Sequence, residues 1–120
     1  MSAPNLILTN NIYGNTAFLA TTSLTPQSVL SNSAGSGQAY KLNTVMVANP
    51  NSVNIPITVD VLRGGTGYYL AANVTVPFNS SLVVQAKDTA IYLVEGDTLR
   101  CNVGVGGYPC HFTVSYEVIS

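Results

Sequence analysis

The sequence predicts an all-β chain, folded as a single antiparallel β-sandwich of about seven to nine strands, Ig-like or jelly-roll, with a barrel as the main rival. Three observations predict it. No apolar pattern of helical period runs for a useful length. The segments between turns are rich in Val, Thr, Ile and Tyr, which suit a pleated, half-buried surface. Turn residues recur at short intervals along the whole chain. With 120 residues the chain can build one core and is too short for two ordinary domains. Residues 12–120 are read as the sandwich and 1–11 as an N-terminal arm or edge strand.

Strands are expected near 6–9, 12–20, 39–49, 55–62, 67–76, 81–87, 90–94, 97–103 and 109–119. Asn10-Asn11 separates the first two. The segment 31–38, SNSAGSGQ, is the low-complexity stretch of the chain and reads as a mobile loop or a strand-to-strand crossover. Within 40–48, Tyr40 and Leu42 are out of phase with Val45 and Val47, which requires either a bulge or cover on both faces. After the turn Asn49-Pro50-Asn51-Ser52, Ile57, Val59 and Val61 share one face, and Thr58, Asp60 and Leu62 the other. Arg63-Gly64-Gly65-Thr66-Gly67 follows as a turn. Beyond it Tyr68, Leu70, Val74 and Val76 oppose Tyr69, Asn73 and Thr75. Pro77-Phe78-Asn79-Ser80 and Glu95-Gly96-Asp97 mark the next turns. Each supplies fixed φ, positive φ or a local side-chain hydrogen bond. The last strand alternates most cleanly, with Cys110, Phe112, Val114, Tyr116 and Val118 against His111, Thr113, Ser115 and Glu117.

Composition restricts the partners. The net charge is −1 and 8% of residues are charged, against roughly 25% in an ordinary soluble domain. No basic stripe is present to neutralise phosphates, so no nucleic-acid partner is expected. No stretch approaches the 18 or so apolar residues of a membrane span, so no membrane partner is expected either. The exterior is left to Ser, Thr, Asn and Gly, a surface suited to burial against copies of itself or a larger assembly. A homo-oligomer is expected. The N-terminus lacks the charge and apolar run of a signal peptide, so folding in a cytoplasm is expected, where the sequons at Asn73 and Asn79 carry no glycan.

Both cysteines and the single histidine fall within LRCNVGVGGYPCHF, residues 99–112. Read as a hairpin turning at Val105-Gly106, this segment sets Cys101 opposite Cys110 and Arg100 opposite His111. A two-residue turn puts the thiols at a narrow, non-hydrogen-bonded site but leaves Pro109 where a donor is needed. A four-residue loop over 104–107 accommodates Pro109 and widens the spacing. A disulfide is geometrically possible in both registers, while a cytoplasm favours paired free thiols. Alternation turns the cysteines and His111 to opposite faces. Two thiols fall short of a zinc site, and the spacing is not Cys-x-x-Cys, so neither metal nor cofactor is expected.

Other chemistry is sparse. His111 has only Thr113 and Arg100 as expected polar neighbours, no set of groups for general-base catalysis. Asp60 reads as a solvated residue or as the cross-strand partner of a basic one. Carboxylate pairs would have to come from Asp60, Asp88, Glu95, Asp97 and Glu117, three of them at turns. The glycine clusters at 64–67 and 104–107 lack the strand-to-helix setting of a phosphate loop and read as hairpin turns. No enzyme is expected. Of the seven tyrosines, Tyr69 and Tyr92 are expected to face outward.

Three segments carry a resemblance: AYKLNTVMVAN at 39–49, SLVVQAKDTAIYLVEGDTLRC at 81–101 and TVSYEVIS at 113–120. Together they resemble small β-sandwich structural proteins of tailed bacteriophages, especially those of cyanobacterial and other aquatic phages. In that group a Tyr-Lys-Leu/Ile-Asn strand, an I-Y-L-x-E-G-D corner and a terminal V-S-Y-E strand recur, here at 40–43, 91–97 and 114–117. The resemblance spans about residues 12–120, and Cys101, Cys110 and the Gly-rich tip at 104–107 stand outside it. It implies a virion component made in the host cytoplasm, most often a capsid decoration or cement protein bound to the major capsid protein or other virion proteins. Otherwise it implies a tail, neck or fibre piece that binds host-surface glycan. It brings no catalytic residue. Contacts are expected at the N-terminal arm, at 31–38 and at the outward positions Leu62, Tyr69, Tyr92, Val94 and Ile119.

Overall fold

A computed structural model of the chain describes residues 12–86 and 91–120. The described residues form nine strands: β1 (Ile12–Thr21), β2 (Gln27–Ser31), β3 (Ala39–Asn49), β4 (Ile55–Arg63), β5 (Thr66–Val76), β6 (Ser80–Gln85), β7 (Ile91–Leu93), β8 (Thr98–Val103) and β9 (Cys110–Ile119). Two antiparallel sheets form a β-sandwich. The first has the order β1-β9-β3-β6, with β7 also paired to β3, and the second β2-β8-β4-β5. β6 and β7 lie end to end on one edge of β3, the former against Val45–Asn49 and the latter against Tyr40–Leu42. They act as one interrupted strand.

The topology follows from a single turn. Gly64 and Gly65 both have positive φ, 60° and 80°, between the paired residues Arg63 and Thr66. This is the two-residue loop whose twist suits a hairpin, and only glycine adopts it without strain. From there outward the chain pairs with itself like one long ribbon: Ile55 with Val76, Tyr40 with Leu93, Ser31 with Thr98, Ile12 with Ile119. The two members of each pair lie nearly equal distances from the glycine turn. The ribbon then rolls up, and new lateral pairings, β3 with β9 and β4 with β8, close the two sheets. A double-stranded ribbon wound into two four-stranded layers is the jelly-roll form of the sandwich.

The core lies between the layers. Leu42, Val45 and Val47 of β3 and Phe112, Val114 and Val118 of β9 meet Ile57, Val59 and Val61 of β4 and Leu99, Cys101 and Val103 of β8. The phase break in β3 is a bulge: the register with β9 passes from Leu42–Tyr116 to Thr44–Ser115, leaving Asn43 unpaired in that ladder. One extra residue returns Val45 to the inner face, so that Leu42 and Val45 are both buried. Tyr40 and Tyr116 stack in tilted fashion at the end of the core, ring centroids 5.3 Å apart.

Three expectations are corrected. The segment 99–112 is not a hairpin. β8 lies in one sheet and β9 in the other, so Cys101 pairs with Gln27 and Val59 while Cys110 pairs with Thr21. Residues 104–109 cross between layers, held by Val103 N–H to Ser23 O (3.0 Å), Gly104 N–H to Pro56 O (2.7 Å) and Asn51 Nδ2 to Pro109 O (2.9 Å). The rolled ribbon has already committed both strands to other partners. Second, β2 was not anticipated, because its five residues show no clean alternation and its register with β8 shifts between Ser28 and Leu30. Third, β5 does not keep one apolar face. Two register shifts against β4 set Ala71, and not Leu70, opposite the inward Val59; Tyr68 and Val74 keep to the inner face, opposite Val61 and Ile57, but at this sheet edge both stay exposed.

The segment 31–38 is the crossover from β2 to β3, and hydrogen bonds pin it. Asn32 N–H donates to Asp97 O (2.9 Å), Gly96 N–H to Asn32 O (2.7 Å), Asn32 Nδ2 to Leu93 O (3.0 Å) and Gly37 N–H to Glu95 Oε2 (3.0 Å). The strand expected at 6–9, the arm 1–11 and Asp88 lie outside the described residues.

Candidate functional site

The cysteines and histidine do not converge. Cys101 and Cys110 are buried, free thiols on the inner faces of opposite sheets, and His111 projects from the outer face of β9. Burial pushes the Cys101 thiol up to about 12, with the charge of Asp60 adding to it, and raises Cys110 by the same cause. Such thiols stay protonated and are poor nucleophiles. Arg100 is not beside His111: it sits in the other sheet, beside Asp60. Among the described residues no three of His, Cys, Asp and Glu come together. No helix among them is long and apolar enough to cross a membrane.

The buried charges are structural. Arg100 donates through Nε (3.0 Å) and Nη2 (2.5 Å) to the two oxygens of Asp60, which is paired across β8 and β4 and 5% exposed. Arg63 holds Asp97 in the same way, through Nε at 2.9 Å and Nη2 at 2.5 Å, while Val94 N–H donates to Asp97 Oδ2 at 2.9 Å. Hydrogen bonding to its carboxylate raises each guanidinium above the ordinary arginine value, against the opposing effect of burial. Asp60 is therefore the cross-strand partner of a basic residue, and Asp97 ties the 95–97 corner to the end of β4.

The five expected contact positions do not form one patch. Tyr69 is 68% exposed on the outer face of the second sheet, above the Asp60–Arg100 pair, and Leu62 is half-buried near it. Tyr92 is exposed at the far edge of the first sheet, paired with Lys41. Val94 is half-buried, its backbone bound to Asp97. Ile119 is corrected: it is only 4% exposed, because β9 is a central strand and Ile119 is flanked by Ile12 of β1 and Ala39 of β3.

A continuous surface lies elsewhere, on the outer face of the first sheet. Directly paired residues share a face, and the registers set Phe18, Thr113, Met46 and Val83 side by side across four strands. Ala20, His111, Ala48 and Ser81 form the next row, and Thr16, Ser115 and Thr44 the row on the other side. Phe18 is 74% and Val83 55% exposed. None of these positions carries a carboxylate, lysine or arginine. The nearest such charges on this face, Lys41 and Glu117, are paired with each other in the row that adjoins Thr16, Ser115 and Thr44. Sequence reasoning missed Phe18 because both phases of β1 hold apolar residues: Ile12 and Phe18 in one, Tyr13, Ala17 and Leu19 in the other. Only the register with β9 decides that Ala17 and Leu19 pack inward.

A smaller feature opens between the edges of the two sheets, a cleft of about 410 Å³ lined by Val61, Arg63, Tyr68, Leu70, Ile91 and Tyr92. It joins an apolar floor to an exposed aromatic ring and a guanidinium. A scan against protein-family models gives no match, and comparison with curated proteins gives none either.

Proposed function

We propose that this protein is a structural component of a virus particle, a decoration or cement protein that lies on the capsid and clamps neighbouring subunits. The observation that carries the proposal is the uncharged part of the first sheet's outer face, the row Phe18–Thr113–Met46–Val83 with the row on either side of it. A flat strand surface with exposed apolar groups and no desolvation cost for ionised side chains suits burial against another protein. Repetition on a symmetric lattice turns a modest interface into stable attachment. The jelly roll recurs in capsid proteins, and the segments at 39–49, 81–101 and 113–120 resemble phage structural proteins. The partner is then the major capsid protein or another virion protein, and the place of action the virion.

The test is made on purified particles. Val83→Glu places a charge on the face without entering the core. Its expected effect is loss of the protein from the particle and earlier release of nucleic acid on heating, with wild-type copies numbering in the hundreds. Retention of the variant, or tens of copies, refutes the proposal.

The cleft favours a second reading, a tail, neck or fibre protein binding host glycan, since Tyr68 offers a ring face and Arg63 hydrogen-bond donors for sugar hydroxyls. Under that reading Tyr68→Ala abolishes adsorption to host cells and leaves the heated capsid unchanged.

A further inference from the structure

The two sheets have four edges, and three of them carry features that block pairing with another strand. β2 is five residues long, follows Pro26 and shifts register at Ser28/Leu30. β5 has two register shifts and a left-handed Asn73. The fourth position of the first sheet is divided between β6 and β7, and β6 shifts register at Val45/Met46. Bulges, short strands, prolines and charges are the usual protection of a sheet edge.

β1 carries none of them. Its ten residues pair with β9 in unbroken register, and among the described residues it pairs with no other strand. Its sequence, IYGNTAFLAT, holds no charge and no proline. Thr16 N–H donates to the adjacent Asn15 Oδ1 at 2.8 Å, an exposed local bond that the carbonyl of an incoming strand would replace. Such an edge is a template for strand addition.

We infer that two copies of this chain pair through β1, antiparallel about a two-fold axis at Thr16, so that their first sheets become one. An axis perpendicular to the sheet keeps every side chain on its own face, so only positions an even number apart can oppose each other. Centred on Thr16, the outer face then sets Thr16 against Thr16, Gly14 against Phe18 and Ile12 against Ala20. The other face sets Tyr13 against Leu19 and Asn15 against Ala17. On the outer face each bulky residue meets a small one, the central threonines are a favourable cross-strand pair, and each Phe18 ring covers the partner's bare Gly14. Shifting the axis by one residue puts Phe18 against Ile12 or Thr16 and leaves Gly14 opposite a small residue. β1 itself brings no charged group to the junction, and Glu117 stands one strand behind Gly14. The uncharged Thr16–Ser115–Thr44 rows of the two copies become continuous, while each Phe18 row runs on into the partner's Gly14–Glu117 row; the pairing does not depend on the virion role.

The test uses the purified full chain. Its mass in solution, by light scattering and by sedimentation, is expected to be twice 12.6 kDa at high concentration. Thr16→Lys sets two like charges face to face on the axis and is expected to weaken the dimer by about fivefold or more. Ser115→Lys, on the same face one strand inward, leaves the mass doubled. Thr16→Cys is expected to give a covalent dimer under mild oxidation, since the two Cα atoms fall within disulfide reach. Ala20→Cys, which opposes Ile12, does not. A monomer at every concentration overturns the inference, including one whose edge is filled by its own residues 1–11. A dimer that survives Thr16→Lys and is not trapped by Thr16→Cys overturns it as well.

Discussion

Gly64 and Gly67 lie three residues apart in the β4–β5 hairpin, yet alanine should harm the protein at each for a different reason. At Gly64 φ is +60° and an added Cβ meets nothing within 4 Å, so only the left-handed backbone is penalised, by about 1 kcal/mol. At Gly67 there is no positive φ, but a Cβ would come within 2.5 Å of Asp60 Oδ2 and 2.8 Å of Arg100 Nη2. Ordinary contact begins at 3.4 Å. Asp60 is 5% exposed and both its oxygens are held by Arg100, so neither can yield without disturbing the ion pair. Overpacking costs about 1–3 kcal/mol and loss of a buried pair about 3–5, so Gly67→Ala is expected to cost about 3 kcal/mol. The assay is urea unfolding of a double-mutant cycle. In an Asp60→Ala/Arg100→Ala background the obstruction is gone, and Gly67→Ala should become neutral or stabilise slightly by restricting the unfolded chain. A coupling energy below about 0.5 kcal/mol would refute the reasoning.

Three further outcomes are expected. Arg100→Ala strips Asp60 of both donors and should cost about 3–5 kcal/mol, whereas Arg63→Ala should cost only about 1–3 because Asp97 keeps the Val94 N–H; equal or reversed losses in urea midpoint would contradict the assignment. Asn49→Leu removes the donor shared by Val53 O (2.9 Å) and Val76 O (3.0 Å) and should destabilise by about 2–4 kcal/mol in thermal unfolding, with the strand order unchanged. Above pH 9 the unfolded chain releases the Cys101 proton that the folded chain holds until about 12. Stability should therefore be full below pH 9 and fall between 9 and 12, by up to about 1.4 kcal/mol per pH unit for this thiol. Cys101→Val should flatten that fall; an unchanged slope would show that other groups, such as the similarly raised Cys110 and Tyr116, dominate.

The candidate surface was only partly legible in the sequence. Tyr69 and Tyr92 face outward as their strand neighbours suggested, while Ile119 does not, because the centrality of β9 is a property of the sheet and not of the strand. Phe18 was hidden for a related reason. Both phases of β1 offer apolar residues, and the partner strand chooses between them. The Asp60–Arg100 pair was readable as a cross-strand possibility, but its burial depends on the closeness of Gly67, a contact made across the hairpin.

By itself the sequence determined where the chain extends and where it turns. Ala39–Asn49, Ile55–Arg63 and Cys110–Ile119 form as their alternation and flanking turn residues require, the phase break after Leu42 was legible although the register with β9 was needed to make it a bulge, and the paired positive-φ glycines make the central hairpin. These are local matters of side-chain period and backbone sterics. Only the tertiary structure decided which strands are partners. Rolling the ribbon sends Val103 and Cys110 to different sheets, so two cysteines nine residues apart in the chain line opposite walls of one core. Pairing is won by whichever register buries the most apolar surface over the whole chain, and no window of a dozen residues contains that comparison.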